Sequence, residues 1–272
     1  MSRHSQPDDV PDPQVHAEAA PPNKLTLRQH AVAFLKELSV VVLGALVVAS
    51  LLRGFVGQMF IIPSSSMENT LQIGDRVAVE KLSSVKRGQT VVFADPGGWL
   101  DSSAAVERGP LGRFGEFIGV LPDTGTNHLI KRVVGLPGDE VVCCDAQGRV
   151  TVNDQPLDEA GYLYAAPDGT RTAPSDLKFT VLVPQGRIFV MGDHRDNSRD
   201  SRCHLNDLQP GAVKGENAFV AEELVVGRAF AVVWPFADAQ WLETPATFES
   251  VPPGKPDPPA KPVVDAGPEA SC

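Results

Sequence analysis

The sequence predicts a mostly β domain, a coiled antiparallel sheet, preceded by one N-terminal transmembrane helix and broken by an inserted loop region. Three observations carry this. Short runs rich in β-branched residues recur between residues 61 and 236, with Gly and Pro between them. Residues 38–52 contain no charged residue. No long helical periodicity competes anywhere after that stretch.

In chain order, residues 1–30 are polar and Pro-rich (Pro7, Pro11, Pro13, Pro21, Pro22) and are expected to form a disordered cytoplasmic N-terminus. The charge-free stretch is short for a span, which takes roughly 20 apolar residues. If Lys36, Glu37 and Arg53 sit at the interfaces, the apolar character continues through Phe55 and Val56 to Ile62, so the anchor is placed at 31–60. The long preceding region argues against a cleaved signal peptide. Lys24, Arg28 and Lys36 precede the anchor, which puts the N-terminus in the cytoplasm and the remainder outside a plasma membrane crossed once.

The domain expected from 61 to 236 has strands near 76–80, 90–93, 129–134, 150–153, 187–190 and 228–234. The interruption at 97–128 contains an apolar stretch, 111–121, that suits an ordered insertion or contact with the bilayer. Residues 237–272 are Pro-rich without periodicity and are expected to be a disordered tail.

With 272 residues, 42% hydrophobic and 21% charged, the chain has the makings of a folded core. Its net charge of −10 excludes a nucleic-acid partner as the leading reading. The four cysteines, Cys143, Cys144, Cys203 and Cys272, lack the paired spacing of a metal site, so neither metal nor cofactor is expected. A bond from Cys203 to one of the adjacent pair and a vicinal Cys143–Cys144 bond both stay open.

For chemistry, Ser64, Ser65 and Ser66 lie where the chain leaves the anchor. A serine hydroxyl attacks only when a base takes its proton. Of the six histidines, His4, His16 and His30 precede the anchor, and none of the others sits in a nucleophile-elbow motif. A neutral lysine is the alternative. An ordinary lysine amine titrates near ~10.4, so holding it near 7 to 8 costs about 4 kcal/mol, which burial supplies. Lys131 fits, since on a strand it shares a face with Leu129 and Val133 while Arg132 points the other way. Spacing alone leaves open that Lys131 is an edge-strand gatekeeper. The polar run 192–202 likewise reads either as a solvated turn or as a strand end converging on a site.

Taken together these segments resemble type I signal peptidase, the membrane-anchored Ser/Lys endopeptidase of bacterial export (serine peptidase family S26), of an actinobacterial-like kind. Ile62-Pro63-Ser64-Ser65-Ser66-Met67-Glu68-Asn69-Thr70-Leu71 is similar to the nucleophile segment, with Asn69 where Pro is common. That change is expected to alter turn stiffness rather than chemistry. The segment 86–93 is similar to the second box, with Gln89 where Asp is usual. The segment 130–139 is similar to the lysine segment, and 192–202 to the last box, with His194 where Asn is common.

The resemblance implies Ser66 as nucleophile and Lys131 as general base. It implies an oxyanion hole from the Ser66 N–H and the Ser64 hydroxyl. Ser198 is then expected to orient the Lys131 amine, Asp200 and Arg202 to support the loop as an ion pair, and Ser65 to be a spacer. Ile62, Pro63, Met67, Leu71, Leu129 and Ile130 are expected to line a shallow substrate pocket for Ala-x-Ala-type sites. The implied partners are secretory preproteins, bound by strand addition, and membrane lipid, with 55–62, Trp99 and 114–121 dipping into the interface. Two rival readings are a self-cleaving Ser/Lys repressor, a family thought to share the β fold, and an anchored scaffold with a degenerate site. The first lacks a DNA-binding helix-turn-helix in residues 1–30 and is incompatible with an anchor. The second conflicts with the complete residue set.

Overall fold

A computed structural model describes residues 26–55, 57–100, 109, 128–268 and 272. The chain separates between Ala45 and Leu46 into two units, the first holding most of an apolar helix and the second the β body.

The helix, α1, spans Leu27–Phe55. It begins at a reciprocal cap. Gln29 Oε1 accepts from the Thr26 backbone N–H at 2.8 Å, and Thr26 Oγ1 accepts from the Gln29 N–H at 3.4 Å. Two otherwise orphaned donors are satisfied this way. The stretch Leu27–Ala49 has a mean hydropathy of 2.2 and none of it is buried against protein. Among the described residues this is the one helix long and apolar enough to cross a membrane. Valines and leucines such as Val41 and Leu43 point outward along it.

The expected bounds of the anchor, 31–60, are corrected at both ends: the helix starts at Leu27, within the segment expected to be disordered, and stops at Phe55. Residues Gly57–Ile61 form strand β1, paired antiparallel with β2, Arg76–Glu80. Their backbone groups pair in a ladder with β2, and the strand's alternation turns Phe60 into the core, a burial that a continued helix exposed on all sides would not give.

The remaining strands are β3 (Thr90–Ala94), β4 (His128–Gly135), β5 (Glu140–Cys143), β6 (Val150–Val152), β7 (Gln155–Pro156), β8 (Phe179–Leu182), β9 (Arg187–Met191), β10 (Val220–Ala221), β11 (Val225–Trp234), β12 (Gln240–Trp241) and β13 (Val263–Ala266). One sheet runs β1-β2-β11-β3-β4-β9-β10 with β12 on β11, and a second runs β13-β8-β5-β6-β7. All pairings are antiparallel. The expected strands are all present. Register shifts in β11 and between Val133 and Gly135 of β4 add local twist and coil the larger sheet.

Strand β4 positions the site. Its alternation feeds three apolar clusters: Ile130 packs with Phe60, Met67 and Val92, Leu129 and Val133 pack with Val91 and Phe93, and Val134 packs with Phe189 and Val141. A strand fastened on both faces is a rigid support for any side chain it carries.

Two further expectations are corrected. The tail 237–272 is not disordered across its described residues. Phe248 and Val251 are buried, β13 pairs with β8, and Cys272 is bonded to Cys203. The Pro-rich stretch is tied down through groups that proline keeps or its neighbours supply. Pro252 O accepts from Asn153 Nδ2, Pro259 O from Gln185 N–H, and Lys255 N–H donates to Gly138 O. Composition does not reveal such partners.

Trp99 is the second correction. It is buried, edge-on to Phe93 and stacked on His204 at 4.7 Å, and its Nε1 donates to Asn217 O at 2.9 Å. The Asp95 carboxylate turns the chain inward by accepting from the N–H groups of Gly97, Trp99 and Leu100. An indole whose N–H finds an acceptor inside has no need of the interface. The expected apolar insertion, 111–121, lies outside the described residues, as does 114–121.

The cysteines pair as Cys143–Cys144 and Cys203–Cys272. The second bond closes a separation of 69 residues. Cys272→Ser is therefore expected to lower stability by about 2–4 kcal/mol through the released unfolded-chain entropy. Denaturant unfolding of the two proteins under oxidising conditions checks this, and equal midpoints would contradict it.

Candidate active site

Ser66 sits in a tight turn that leaves β1. The turn is closed by Glu68 N–H to Ser65 O and Leu71 N–H to Met67 O, and is held to the strand ends by Ile62 N–H to Asp75 O. Ile62, Met67 and Leu71 are fully buried beneath it. They were expected to line the substrate pocket; in this structure they lie beneath the turn, packed in one apolar cluster with Ile130 of the groove wall, and none of the three is among the residues lining the cavity. Asn69 has φ of +83°. Proline, fixed near −65°, cannot take that conformation. The Asn69 substitution therefore changes the backbone path of the turn as well as its stiffness.

Lys131 lies on β4 opposite Val91 of β3. Its side chain is buried, with Nζ 2.6 Å from Ser66 Oγ and donating to Ile130 O at 3.1 Å. Burial pulls its pKa from 10.5 down to about 8, against the opposing pull of the Asp200 and Asp193 carboxylates. An amine so placed is a competent proton acceptor for the hydroxyl beside it. Ser64 Oγ stands 3.4 Å from Ser66 Oγ on the open side.

Ser66, Lys131 and Ser64 are thus brought together as expected. Asp200 and Arg202 also form their ion pair, two-pronged, at 2.8 and 2.9 Å. Burial works to raise the Asp200 pKa, but Arg202 and the bonds from Gly192 N–H and Ser198 Oγ hold it below the ordinary value. Ser198, expected to orient the Lys131 amine, lines the same cavity as Lys131, and its hydroxyl is itself oriented by Asp200. The hydroxyl donates to Asp200 Oδ2 at 2.8 Å, an ionised and therefore strong acceptor. Gly192 is required by crowding: a Cβ there would strike the Ser198 hydroxyl and the Ser66 carbonyl.

A cavity of about 850 Å³ opens over these groups. Pro63, Leu129 and Ile130 line it as expected, together with Ser64, Ser65, Ser66, Lys131 and Ser198. Pairing of β4 with β9 begins at Arg132, so the residues before it have β3 on one side and, among the described residues, no ladder partner on the other. An extended chain can enter there by strand addition.

Several contributing residues were not foreseen. Arg132, buried beside Lys131, makes a two-pronged pair with Asp193 at 2.6 and 2.8 Å, donates to Gly88 O, and lies over the Tyr162 ring at 4.5 Å. Thr70 Oγ1 donates to the same carboxylate. Arg195 pairs with Glu159 and donates to Gly192 O. For Asp193 and Arg195 the sequence signal was charge placed directly after an apolar strand, β9. Ser65, expected to be a spacer, accepts a bond from Asn197 Nδ2 at 2.8 Å. Gln89 closes its turn by accepting from Lys86 N–H at 2.9 Å, so a neutral amide serves where the family resemblance led us to expect a carboxylate.

Comparison with known proteins adds to the geometry. Residues 35–234 match the family model described as signal peptidase, peptidase S26. Signal peptidase I of Mycobacterium tuberculosis (strain ATCC 25618 / H37Rv) is 35% identical over 243 residues, covering 80% of this chain and 76% of its own. A probable signal peptidase I of Mycobacterium leprae is 37% identical over 210 residues, covering 66% and 70%. A probable signal peptidase I-2 of Synechocystis sp. is 36% identical over 215 residues, covering 79% and 80%.

Proposed function

This chain belongs to the peptidase S26 signal peptidase family, whose members are serine endopeptidases, and from that premise we propose that it removes signal peptides from secretory preproteins with Ser66 as nucleophile and Lys131 as general base. The observation that carries the proposal is the 2.6 Å approach of a buried lysine amine to a serine hydroxyl at the floor of an open groove.

In the proposed cycle, neutral Lys131 takes the Ser66 proton as Oγ attacks the scissile carbonyl. The resulting oxyanion is met by the Ser66 N–H and the Ser64 hydroxyl, donors of a kind worth several kcal/mol of barrier. The lysine ammonium then protonates the leaving amine, and the mature chain departs. Water, deprotonated by the same amine, hydrolyses the acyl-enzyme on the signal-peptide side. Pro63, Leu129 and Ile130 give the groove an apolar wall suited to small side chains, in keeping with Ala-x-Ala-type sites. Asp200 and Arg202 support the loop, and Ser198 acts through Asp200.

We place α1 in the plasma membrane, with the N-terminus cytoplasmic and the β body outside. A substrate held in the same bilayer then meets the groove at high effective concentration. Met59 and Ile61, half-exposed apolar side chains of β1, suit contact with lipid.

The test is cleavage of a preprotein carrying an Ala-x-Ala site by full-length protein in lipid vesicles. Ser66→Ala is expected to lower turnover by about 10⁴-fold or more. Retained cleavage in that variant would sink the assignment.

A further inference from the structure

Ser66 and Lys131 come from separate elements, a turn after β1 and the strand β4, and their 2.6 Å approach requires something to hold the two in register. The segment after β9 joins them. At residue 193 it is fastened to β4: Asp193 takes both prongs of Arg132, the neighbour of Lys131. One residue later it is fastened to the serine turn. His194 N–H donates to Ser66 O at 3.1 Å. The His194 ring Nδ1 lies 2.9 Å from Glu68 Oε2 and 3.2 Å from Ser65 O. Both partners are acceptors, so Nδ1 carries the hydrogen. The ring is buried and stacked on Tyr164 at 3.8 Å, and Tyr164 is itself tied to Asp193 O through its N–H. The outer nitrogen, Nε2, lies 3.3 Å from the exposed Asp196 carboxylate.

We propose that His194 is a positioning residue for the reaction: through Nδ1 it clamps the Ser65 carbonyl and Glu68, and so fixes the distance between Ser66 and Lys131. The inference rests on the reading of Ser66 as nucleophile. It follows from the placement of the contacts, because adjacent residues of one short segment grip the two halves of the dyad. A misplacement of about 1 Å at a reacting group lowers rate by about 10²-fold.

The test compares His194→Asn, His194→Gln and His194→Ala in full-length protein. The Asn amide nitrogen occupies the place of Nδ1, whereas the Gln amide nitrogen falls near that of Nε2. We expect the Asn variant to keep kcat within about threefold of wild type. The Gln and Ala variants should lose about 10- to 100-fold in kcat, with KM changed less than twofold. Thermal midpoints are measured alongside, and the Asn and Gln variants, both folded and both polar, keep the comparison decisive if Ala unfolds. Equal kcat in the Asn and Gln variants overturns the proposal, as does a loss confined to KM. Ser66→Ala is run in the same assay. If it is inactive while the His194 variants match wild type, only the clamp fails. If it cleaves, the nucleophile assignment fails first.

Discussion

Lys131→Met is expected to abolish cleavage and, at pH 7, to make the protein more stable. Both effects have one cause. In the fold, burial brings the Lys131 amine to about 8, against 10.5 when exposed. The unfolded chain therefore holds a proton that the folded chain has shed between those values, and wild-type stability rises with pH across that window. Above about 10.5 the amine is neutral in both states and the penalty is absent. Below about 8 it is charged in both, and burying the ammonium costs about 3 kcal/mol. Methionine, of similar length and uncharged, removes that penalty. Denaturant unfolding at pH 7 should show a gain approaching this figure, reduced by the two lost hydrogen bonds of Nζ, and the gain should shrink toward pH 10.

Activity should carry the same signature. In wild type, kcat/KM should climb along an alkaline limb with a midpoint near 8 as the amine loses its proton. A flat profile from about pH 6 to 9 would contradict a lysine base. Lys131→Arg should be inactive at every pH, because a guanidinium stays charged.

Breaking the Arg132–Asp193 pair should produce the largest loss of stability. Both side chains are at or below 2% exposure. Burial acts to lower the Arg132 pKa, and Asp193 reverses this and raises it. Removing one partner strands the other charge in the interior. Asp193→Leu or Arg132→Met should each destabilise by about 3–5 kcal/mol. The double variant Arg132→Met/Asp193→Leu should lose far less than the sum, since an apolar replacement leaves no buried charge behind. Additive losses in the urea-unfolding cycle would show the pair to be uncoupled. Activity should fall in the single variants as well, because this pair anchors the segment that reaches the serine turn.

Much of this was legible in the chain. Strand positions followed from β-branched runs and the Gly and Pro between them, because period-2 patterning is local. Apolar neighbours on one strand face made Lys131 a candidate, and the resemblance to a known family selected it and separated Ser66 from its two neighbours. Other features were illegible for a common reason. Ile62, Met67 and Leu71 have the composition of a pocket wall, and only the structure shows that they are buried beneath the serine turn. Trp99 looked like an interface residue until its N–H was seen to meet Asn217 O inside. The Pro-rich tail carries no periodicity, yet its carbonyls and a disulfide tie it down.

The linear sequence by itself determined what local chemistry can encode: an apolar helix, the alternation of the strands, and the side chains available for catalysis. Tertiary structure alone decided which of those side chains meet. Residues 66 and 131 reach 2.6 Å, the carboxylate of Asp193 finds Arg132, and His194 finds the serine turn. The pKa of Lys131 belongs to that second group, because desolvation arises only when distant strands close around an amine.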